Sequence, residues 1–291
     1  MAGFRERAQN VTGRPARLHW LVRIDPQIEQ CYGSATYALD RYAARIEALR
    51  AAGDVIGLHP HLYRWESDRW LVDSSSPTWI EHCMGLAVET YKQHFGEAAE
   101  VLRMGDAWLD TTTANLAERL GIRYELSIEP GFRMRHDSDI NSRGPLADYR
   151  WFARSPYQPD RDALAKPLPP GASRLLWAIP LSSARIVRPD LAGHLDALRR
   201  DGWRYRQRPR MLKMYQRGVA PNRFADLLDR ALRETPMPYL ALAFRTDQRS
   251  WDIVGENLQS LLSHPLAGRM DFCTVADFVA RHCAAGRPVR R

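Results

Sequence analysis

The sequence predicts an α/β protein whose parallel strands form a barrel around one hydrophobic core. Apolar runs of strand length alternate with helical patterns along most of the 291 residues, and this alternation is typical of βα units with a parallel sheet. About seven such units occur, and no glycine-rich phosphate turn follows the first strand, which favours a barrel over a doubly wound dinucleotide-binding fold. No second core or linker is evident, so we expect a single domain over residues 1–291.

In the first half of the chain, predicted strands and helices alternate regularly. Gly53, Gly96 and Gly121 each stand where a helix C-terminus favours a left-handed residue. A segment rich in Asp and Ser, 65–77, is predicted to be a loop. The strands are expected at 18–24, 54–59, 101–104 and 123–128, and the helices at 35–52, 78–95 and 111–120.

The second half begins with a long aperiodic stretch. Residues 132–173 contain six prolines and many charges, and a loop of this length inside a domain is typical of a functional lid or an insertion. Beyond it the alternation returns. Strands are expected at 175–181, 210–215, 239–244 and 270–275, and helices at 190–200, 223–233, 257–262 and 276–284.

The net charge of +8 is carried almost entirely by arginine. Arginines crowd 133–161 and 199–210, which indicates either attraction to an anionic partner such as phosphate or an acidic glycan or a solvated face. No basic motif interleaved with aromatic residues and no recognition-helix pattern occurs, so nucleic acid is not expected as a partner. The sequence does not indicate an oligomeric state.

The cysteine pattern and the composition of the N-terminal residues indicate in which cellular compartment the protein is expected. The four cysteines are scattered without a CxxC pair, which favours reduced thiols over a disulfide framework or a zinc knuckle. Residues 1–17 are polar and basic without an apolar core, unlike a secretory signal. No apolar run is long enough to span a membrane. A cytoplasmic location is therefore expected.

Two histidines, His59 and His61, follow a short apolar strand in the passage Gly-Leu-His-Pro-His. If strand geometry persists through Pro60, both side chains point to the same side. Two neutral imidazoles placed in this way can chelate a divalent metal ion. The alternative is a pair at a strand end that bonds only to backbone and water.

Further polar residues follow the other predicted strands. Because chemistry in parallel α/β folds gathers at the carboxyl ends of strands, these residues together predict a metal-binding or hydrolytic site. Asp25 is the candidate third metal ligand, and each carboxylate has a helix cap or surface ion pair as its alternative role. The strand ends deliver Asp25, Arg103, Asp106, Glu129, Arg245 and Asp247.

Several passages, in order over residues 18–281, resemble one known family. Residues 45–59 resemble the helix and the Gly-polar-x-Ile-Gly-x-His passage of polysaccharide deacetylases with the NodB-homology fold, the carbohydrate esterase family 4-like group. Residues 103–106 and 116–125 are similar to that family's Arg-x-Pro-Tyr motif and the helix and strand that follow it. Residues 177–180 and 272–278 resemble a later strand with its proline and the closing Phe-x-Thr motif.

The resemblance implies a partly open (β/α)7 barrel of the glycoside hydrolase/deacetylase type. It implies one divalent metal ion, zinc above all, held by an Asp and two His, and hydrolysis of an acyl group from an N-acylated sugar or a related amide. An Asp would act as base, an Arg would orient it, and a late His would protonate the leaving amine. His59 matches the first metal histidine and Arg103 the orienting arginine, so Asp106 and Asp247 are candidate catalytic carboxylates.

The chain departs from the family pattern at three points. The second metal histidine normally lies four residues after the first, where this chain has Tyr63, so His61 is the nearest substitute. The first strand with its aspartates has no counterpart, and Asp247 stands near the place of the late histidine. One explanation is a chain that begins inside the domain, favoured because a barrel without its first strand exposes a sheet edge. The other is a divergent relative that uses Asp25, Asp106 or Asp247, or one that has lost catalysis.

Two other functions are open at this point. An amidohydrolase-type metal hydrolase also carries His-x-His at a strand end, but needs further metal histidines, whereas those of this chain fall mostly in helices or loops. A catalytically inactive carbohydrate-binding barrel would use aromatic faces, which also serve ordinary packing. The candidate substrate contacts are Trp65, Trp108 and Arg245, and the wider aromatic set is Trp65, Trp70, Trp79, Trp108, Trp151 and Tyr157.

Overall fold

The computed structural model describes residues 2–134, 141–235, 237, 239–246 and 251–283. Within them the protein is mixed α/β with a mostly parallel central sheet. The α-helices are α1 (Ala2–Thr12), α2 (Pro26–Tyr32), α3 (Tyr37–Arg41), α4 (Ala43–Ala51), α5 (Pro77–Phe95), α6 (Thr111–Arg119), α7 (Leu191–Asp201), α8 (Phe224–Glu234), α9 (Trp251–Leu262) and α10 (Val275–His282). The strands are β1 (His19–Val22), β2 (Val55–Leu58), β3 (Tyr63–Glu66), β4 (Arg69–Asp73), β5 (Val101–Leu102), β6 (Tyr124–Glu125), β7 (Ser142–Arg143), β8 (Trp177–Ala178), β9 (Ser183–Arg185) and β10 (Pro209–Met211).

The central sheet has the order β1-β2-β5-β6-β8, and all of its pairings are parallel. One row of paired residues crosses it near the carboxyl ends of the strands: Val22, Leu58, Leu102, Glu125 and Ala178. The residues that follow this row in each strand therefore lie along one edge of the sheet. This arrangement confirms the predicted parallel sheet, and it places the segments that carry Asp25, His59, Arg103 and Glu129 at a common edge.

Helix α5 is the longest helix and packs its apolar side onto the sheet. It begins at the cap Ser76, whose side chain accepts from the Trp79 amide, and ends at Gly96 in the left-handed region. Met84 is almost completely buried, and the Tyr91 hydroxyl donates to the Ile56 carbonyl at 3.1 Å. Burying side chains of this size stabilises the fold by about 2 kcal/mol each, and the helix thereby fixes the strand that leads to the histidines.

The predicted loop at 65–77 is wrong, because β3 and β4 pair there as an antiparallel hairpin. Ser67 and Asp68 both have positive φ, 50° and 61°, as a two-residue hairpin turn requires. The polar residues interpreted as a loop signal are thus the turn of the hairpin. The Asp73 amide donates to the Leu62 carbonyl at 2.9 Å, which places the hairpin directly after the histidine pair.

The segment predicted as a long loop or lid, 132–173, has little regular structure among its described residues. Strand β7 pairs with β4, and residues 135–140 lie outside the described residues. Tyr149 is only 1% exposed, and its hydroxyl donates to the Ala107 carbonyl at 2.6 Å. This contact attaches the segment to the core beside the carboxyl edge of the sheet.

Beyond β8, two strand predictions are wrong within the described residues. The stretch 239–244 contributes only an isolated bridge between Ala243 and Lys213, and 270–275 is not assigned as strand. The predicted strand at 210–215 survives as β10, which pairs antiparallel with β9 instead of joining the parallel sheet. Apolar composition alone predicted these strands, but their side chains enter a second core cluster that includes Leu212, Leu242 and Phe272.

Several hydrogen bonds connect this later chain to the sheet region. The Ser182 amide donates to the Ala241 carbonyl, and the Arg17 amide donates to the Phe272 carbonyl, both at 2.8 Å. The rings of Trp20 and Phe244 meet edge to face at 6.1 Å. The first and last parts of the fold are therefore in contact beside β1. Among the described residues, no helix combines the length and apolarity needed to cross a bilayer.

Candidate functional site at the carboxyl edge of the sheet

His59 lies directly after β2 and is held by the neighbouring strand. Its Nδ1 lies 2.6 Å from the Arg103 carbonyl oxygen, which can only accept, so Nδ1 carries the proton and Nε2 keeps its lone pair. Burial, followed by the charges of His61, Arg103 and Arg23, lowers the pKa of His59 to about 3, against a hydrogen bond to the Arg103 backbone that raises it. The imidazole is consequently neutral at physiological pH and available as an acceptor or a metal ligand.

His61 is fixed by a carboxylate on the next loop. Its Nδ1 lies 3.2 Å from Oδ2 of Asp106, and its ring stacks on Tyr63 at 5.4 Å and meets His59 edge to face at 4.9 Å. Burial opposes ionisation of Asp106, but the hydrogen bond from His61 and the nearby positive charges lower its pKa overall. A negative Asp106 favours the tautomer of His61 that leaves Nε2 unprotonated.

The loop that carries Asp106 fits closely around the His61 ring. A Cβ added to Gly105 would lie 2.2 Å from Cγ of His61, so only glycine leaves room for the ring. Asp106 itself has φ 52° and ψ 20°, a left-handed conformation that costs a non-glycine residue about 1 kcal/mol. Backbone strain of this kind is tolerated where the surrounding contacts fix the residue, and here it directs the carboxylate at His61.

Asp25 is completely buried beside the pair, and its carboxylate is fully engaged by N–H donors. Oδ2 accepts from Arg23 Nε at 2.6 Å and from the His61 amide at 3.2 Å. Oδ1 accepts from the Ile28 amide at 3.0 Å and from a terminal guanidinium nitrogen of Arg23 at 3.4 Å. A carboxylate has about four lone-pair sites, and all of them are occupied. Asp25 caps α2 and positions the His61 backbone, and it has no free oxygen for a metal ion.

Arg103 joins the histidine side of the site to a second carboxylate. While its carbonyl oxygen accepts from His59, its guanidinium donates to the Leu126 carbonyl and to Oε1 of Glu129, both at 2.5 Å. The side chains of Arg103 and Glu129 are 14% and 9% exposed. A partly desolvated ion pair with this geometry has a fixed orientation, so Glu129 is held in place at the rim.

Glu125 is a second acidic residue on the segment that carries Glu129, and it lies on β6 between β5 and β8. It is 0% exposed; Oε1 accepts from the Ser127 amide at 2.7 Å, and Oε2 has no hydrogen-bond partner within the described residues. Burial raises the pKa of Glu125 to about 7, although the bonds from Ser127 and the charge of Arg103 oppose the shift. The Ser127 hydroxyl in turn accepts from the Met104 amide at 2.8 Å, so this carboxyl group supports the loop before Asp106.

The donors present fit a metal ion only in part. His59 and His61 each use Nδ1 toward an oxygen acceptor and leave Nε2 free, which is the usual arrangement of metal-binding histidines. Asp25, the predicted third ligand, is occupied as described. In the part of the chain that the structure describes, no group of three or more His, Cys, Asp or Glu side chains is arranged to hold a metal ion. Two imidazoles therefore remain as candidate ligands.

The predicted substrate contacts lie in different surroundings. Trp65 is 45% exposed on the hairpin and packs against Trp70 at 5.1 Å. Trp108 is 3% exposed, and its indole N–H donates to the Pro145 carbonyl, so only part of its surface lines a cleft of about 290 Å³. Arg245 is exposed above the Tyr215 ring at 5.1 Å. Asp247, the other predicted catalytic carboxylate, lies outside the described residues.

Three further histidines in the described residues have polar partners outside the pair. His94 faces Asp40 at 3.8 Å, and His264 is bonded to Asp229 at 2.8 Å. His194 lies 3.1 Å from the Tyr205 hydroxyl. This distribution gives no support to the amidohydrolase alternative, which needs further histidines at the same centre.

Sequence reasoning missed several residues that build the site. Arg23 and Glu125 are charged residues inside predicted apolar strands, and a charge at such a position is a signal that it has a buried partner or an unusual pKa. Gly105 carried no signal, because its need for space depends on the His61 ring from another strand. The alignment of Asp25 with the His61 amide is likewise a tertiary contact that local sequence does not encode.

Comparisons with known proteins give weak structural likenesses only. Neither a protein-family model nor a curated protein sequence matches the chain. A presumed polysaccharide deacetylase from Mycobacterium smegmatis superposes with a TM-score of 0.31 and 12% identity, over 64% of this chain and 73% of that chain. A GH57 branching enzyme from the archaeon Thermococcus kodakaraensis superposes with a TM-score of 0.42 and 12% identity, over 97% of this chain and 57% of that chain.

Proposed function

We propose that this protein is a hydrolase that removes an acyl group from an N-acylated sugar or a related amide, in the manner of a polysaccharide deacetylase. The observation that carries the proposal is the double role of Arg103. Its carbonyl oxygen fixes the tautomer of His59, and its guanidinium fixes Glu129. An imidazole lone pair and a carboxylate base are thereby held by one residue at the carboxyl edge of a parallel sheet, where α/β enzymes place their chemistry.

Under this proposal His59 and His61 hold one divalent ion, with zinc the first candidate. Their free Nε2 atoms and oxygen-bound Nδ1 atoms support this role. Asp25 does not join them, since its oxygens are occupied by Arg23, Ile28 and His61. The ion would supply Lewis acidity toward an acyl carbonyl.

The acid–base chemistry is assigned to Glu129. As base it takes one proton from the attacking water while the water oxygen bonds to the acyl carbon. When the carbon–nitrogen bond breaks, the same carboxyl group returns that proton to the leaving amine, so the reaction balances without another donor. Arg103 orients Glu129 throughout, and Asp106 acts as a positioning residue for His61. The proposal differs from the sequence-based expectation, which placed the base at Asp106 or Asp247.

A partly open barrel is part of the same proposal. The contacts of Ser182 with Ala241 and of Arg17 with Phe272 support it, because they continue the backbone connections beyond the five-stranded sheet. A carbohydrate substrate is supported by the exposed Trp65, whose indole face can stack on a sugar ring.

A catalytically inactive carbohydrate-binding domain is the second candidate. Its support is that the described residues contain no group of three or more side chains arranged to hold a metal ion, whereas Trp65 presents an exposed aromatic surface on the hairpin that follows the histidines. In such a domain the histidines and Glu129 would hydrogen-bond to sugar hydroxyls without turning over the substrate.

The decisive experiment measures acyl release from N-acetylglucosamine oligomers by the purified protein loaded with zinc. Wild type is compared with Glu129→Gln and His59→Gln, and Glu89→Gln serves as the matched control because Glu89 is exposed on α5. Removing the base should lower kcat by about 10²-fold or more, with little change in the control. Full activity in Glu129→Gln would refute the assigned base. Zinc-loaded wild type that binds the oligomers without releasing acyl groups would support the binding domain instead.

A further inference from the structure

A concentrated positive surface lies beside the site and has no role in the proposed hydrolysis. Residues 185–211 contain eight arginines and three aspartates, so this short segment accounts for most of the chain's net charge of +8. Four of these arginines form the arginine cluster: Arg188, Arg200, Arg208 and Arg210.

The fold brings the cluster together from three segments of the chain, one of which carries both Arg208 and Arg210. Arg210 lies on β10 opposite Ala184 of β9, and Arg200 lies in the last turn of α7. Arg188 precedes α7 and lies 5.6 Å from the centre of the Tyr205 ring. Because Tyr205 is only 6% exposed, the ring is a rigid support for the guanidinium groups around it.

Only half of the cluster is neutralised by carboxylates. Arg208 pairs with Asp201 at 2.6 Å and Arg200 with Asp196 at 2.7 Å. Arg188 and Arg210 have no ion-pair partner within the described residues. Tyr205 is the common neighbour: Arg188 lies beside its ring, and the Arg208 amide donates to its carbonyl oxygen at 3.2 Å, two residues before Arg210. Desolvation, followed by the charges of Arg188, Arg208 and Arg200, lowers the pKa of Arg210. Desolvation and the charges of Arg200 and Arg208 lower the pKa of Arg188, against the charge of Asp201, which raises it. Positive charge is therefore concentrated around Tyr205 and only partly neutralised.

Like charges held together are stabilised by a bound anion. Two guanidinium groups without carboxylate partners offer paired N–H donors that match the oxygens of a phosphate group. An isolated exposed arginine would not need such a partner, since water screens it. The aromatic support and the two fixed ion pairs also reduce the entropy lost when a ligand binds, because the surrounding side chains are already ordered.

The cluster is directly connected to the rim of the candidate site. Arg208 Nε donates to the Gly131 carbonyl at 3.0 Å. A Cβ on Gly131 would lie 1.8 Å from the Pro209 carbonyl oxygen, so the two backbones touch. Gly131 is two residues after Glu129, the proposed base, and the cluster thus begins at the loop that carries it.

We propose that the arginine cluster binds a phosphate or diphosphate group, and that the substrate of this protein is a phosphorylated glycan. Anion binding by the cluster does not depend on whether the protein is a hydrolase. The role of the cluster in substrate recognition rests on the proposed function. Arg188 and Arg210 are the ligand-binding members. Arg200 and Arg208 position them and contribute long-range attraction.

Direct binding is measured first, by calorimetry with inorganic pyrophosphate at low ionic strength. We expect saturable binding that Arg188→Gln/Arg210→Gln weakens at least tenfold. The control Arg41→Gln/Arg69→Gln removes the same charge from exposed positions outside the cluster and should leave affinity nearly unchanged. Arg210→Lys should retain part of the affinity, since it keeps the charge but loses the paired donors. Circular dichroism verifies that the variants fold.

Several outcomes would overturn the proposal. Wild type that does not bind pyrophosphate contradicts it, and so does an equal loss of affinity in the control. Glucuronate that binds as tightly as glucose 1-phosphate would show that the cluster does not distinguish a phosphate from a carboxylate, against the phosphate assignment. Inorganic phosphate and glucose 1-phosphate compared at equal concentration show whether the sugar contributes to binding.

Turnover separates this inference from the proposed hydrolysis. With a phosphorylated N-acetylated oligosaccharide, cluster variants should raise KM at least tenfold and leave kcat unchanged, while kinetics with the neutral oligomer stay the same. Lost turnover in His59→Gln together with an unchanged KM in the cluster variants would refute the cluster as a substrate contact and leave the proposed hydrolysis standing. Pyrophosphate binding that depends on the cluster in a protein without acyl-release activity would refute only the hydrolase.

Discussion

The contribution of the buried Glu125 carboxyl group to stability should fall as pH rises from 4.5 to about 7. Glu125 is fully buried with one unpartnered oxygen within the described residues, and burial raises its pKa from the usual 4.5 to about 7. Between these two values the folded state keeps a proton that the unfolded chain releases. Protonation thus favours the folded state at low pH, and this contribution disappears as pH rises through about 7.

The size of the effect follows from the shift. A displacement from 4.5 to about 7, at about 1.4 kcal/mol per pH unit, corresponds to about 3 kcal/mol of unfolding free energy by pH 8. Glu125→Gln keeps the shape and the acceptor for the Ser127 amide but cannot ionise. The variant should therefore be more stable than wild type at pH 8 by up to about 3 kcal/mol, and nearly equal at pH 4.

Urea unfolding of both proteins between pH 4 and 8 tests this prediction. His19 and His59, whose pKa values burial lowers to about 4 and about 3, make stability rise with pH up to about 6.5, since the unfolded chain binds protons there that the folded state has released. These groups are common to both proteins and cancel in the difference. Parallel pH profiles for wild type and Glu125→Gln would refute the reasoning.

Three further predictions concern the residues around the histidine pair. Gly105→Ala should destabilise the fold by about 2 kcal/mol or displace the His61 ring, because the new Cβ meets that ring at 2.2 Å. Chemical unfolding measures the change. The control is Gly85→Ala, whose new Cβ has open space on a helix and should raise the unfolding free energy by up to about 1 kcal/mol. The His59 ring should show no protonation above pH 5 by NMR, given a pKa of about 3, and titration near 6.5 would contradict its burial. Asp106→Gly should relieve the positive-φ strain by about 1 kcal/mol yet lower zinc affinity about 10- to 100-fold through the lost contact with His61; unchanged affinity would show that the carboxylate does not position the imidazole.

Local sequence signals predicted the strands of the parallel sheet and the long helix in the first half of the fold, but not helices α1 and α2 or the β3–β4 hairpin. Strand β2 and helix α5 fall within a residue or two of their predicted bounds, because Gly96 ends one helix and a short apolar run defines the strand. The pattern failed where tertiary contacts decide. Residues 239–244 are as apolar as a buried strand, yet within the described residues they make an isolated bridge and pack into a separate core cluster.

Only some residues of the candidate site were predictable from the sequence, and their connections were not. That His59 and Arg103 stand at neighbouring strand ends follows from the alternation of strands and helices. That the carbonyl of Arg103 fixes His59 while its guanidinium selects Glu129 depends on the register between β2, β5 and β6, which no local pattern specifies. For Asp25, the role as a helix cap was one of the predicted alternatives, but its hydrogen bond with the His61 amide was not predictable from local sequence.

The metal content of the protein tests the central claim, that His59 and His61 form the ion-binding half of a hydrolase site. Wild type and His59→Ala/His61→Ala are loaded with zinc, freed of excess by gel filtration, and analysed by elemental mass spectrometry. The account predicts about one equivalent in wild type and none above background in the double variant, with both proteins folded by circular dichroism. Wild type that retains no zinc, or a double variant that retains as much as wild type, would contradict it.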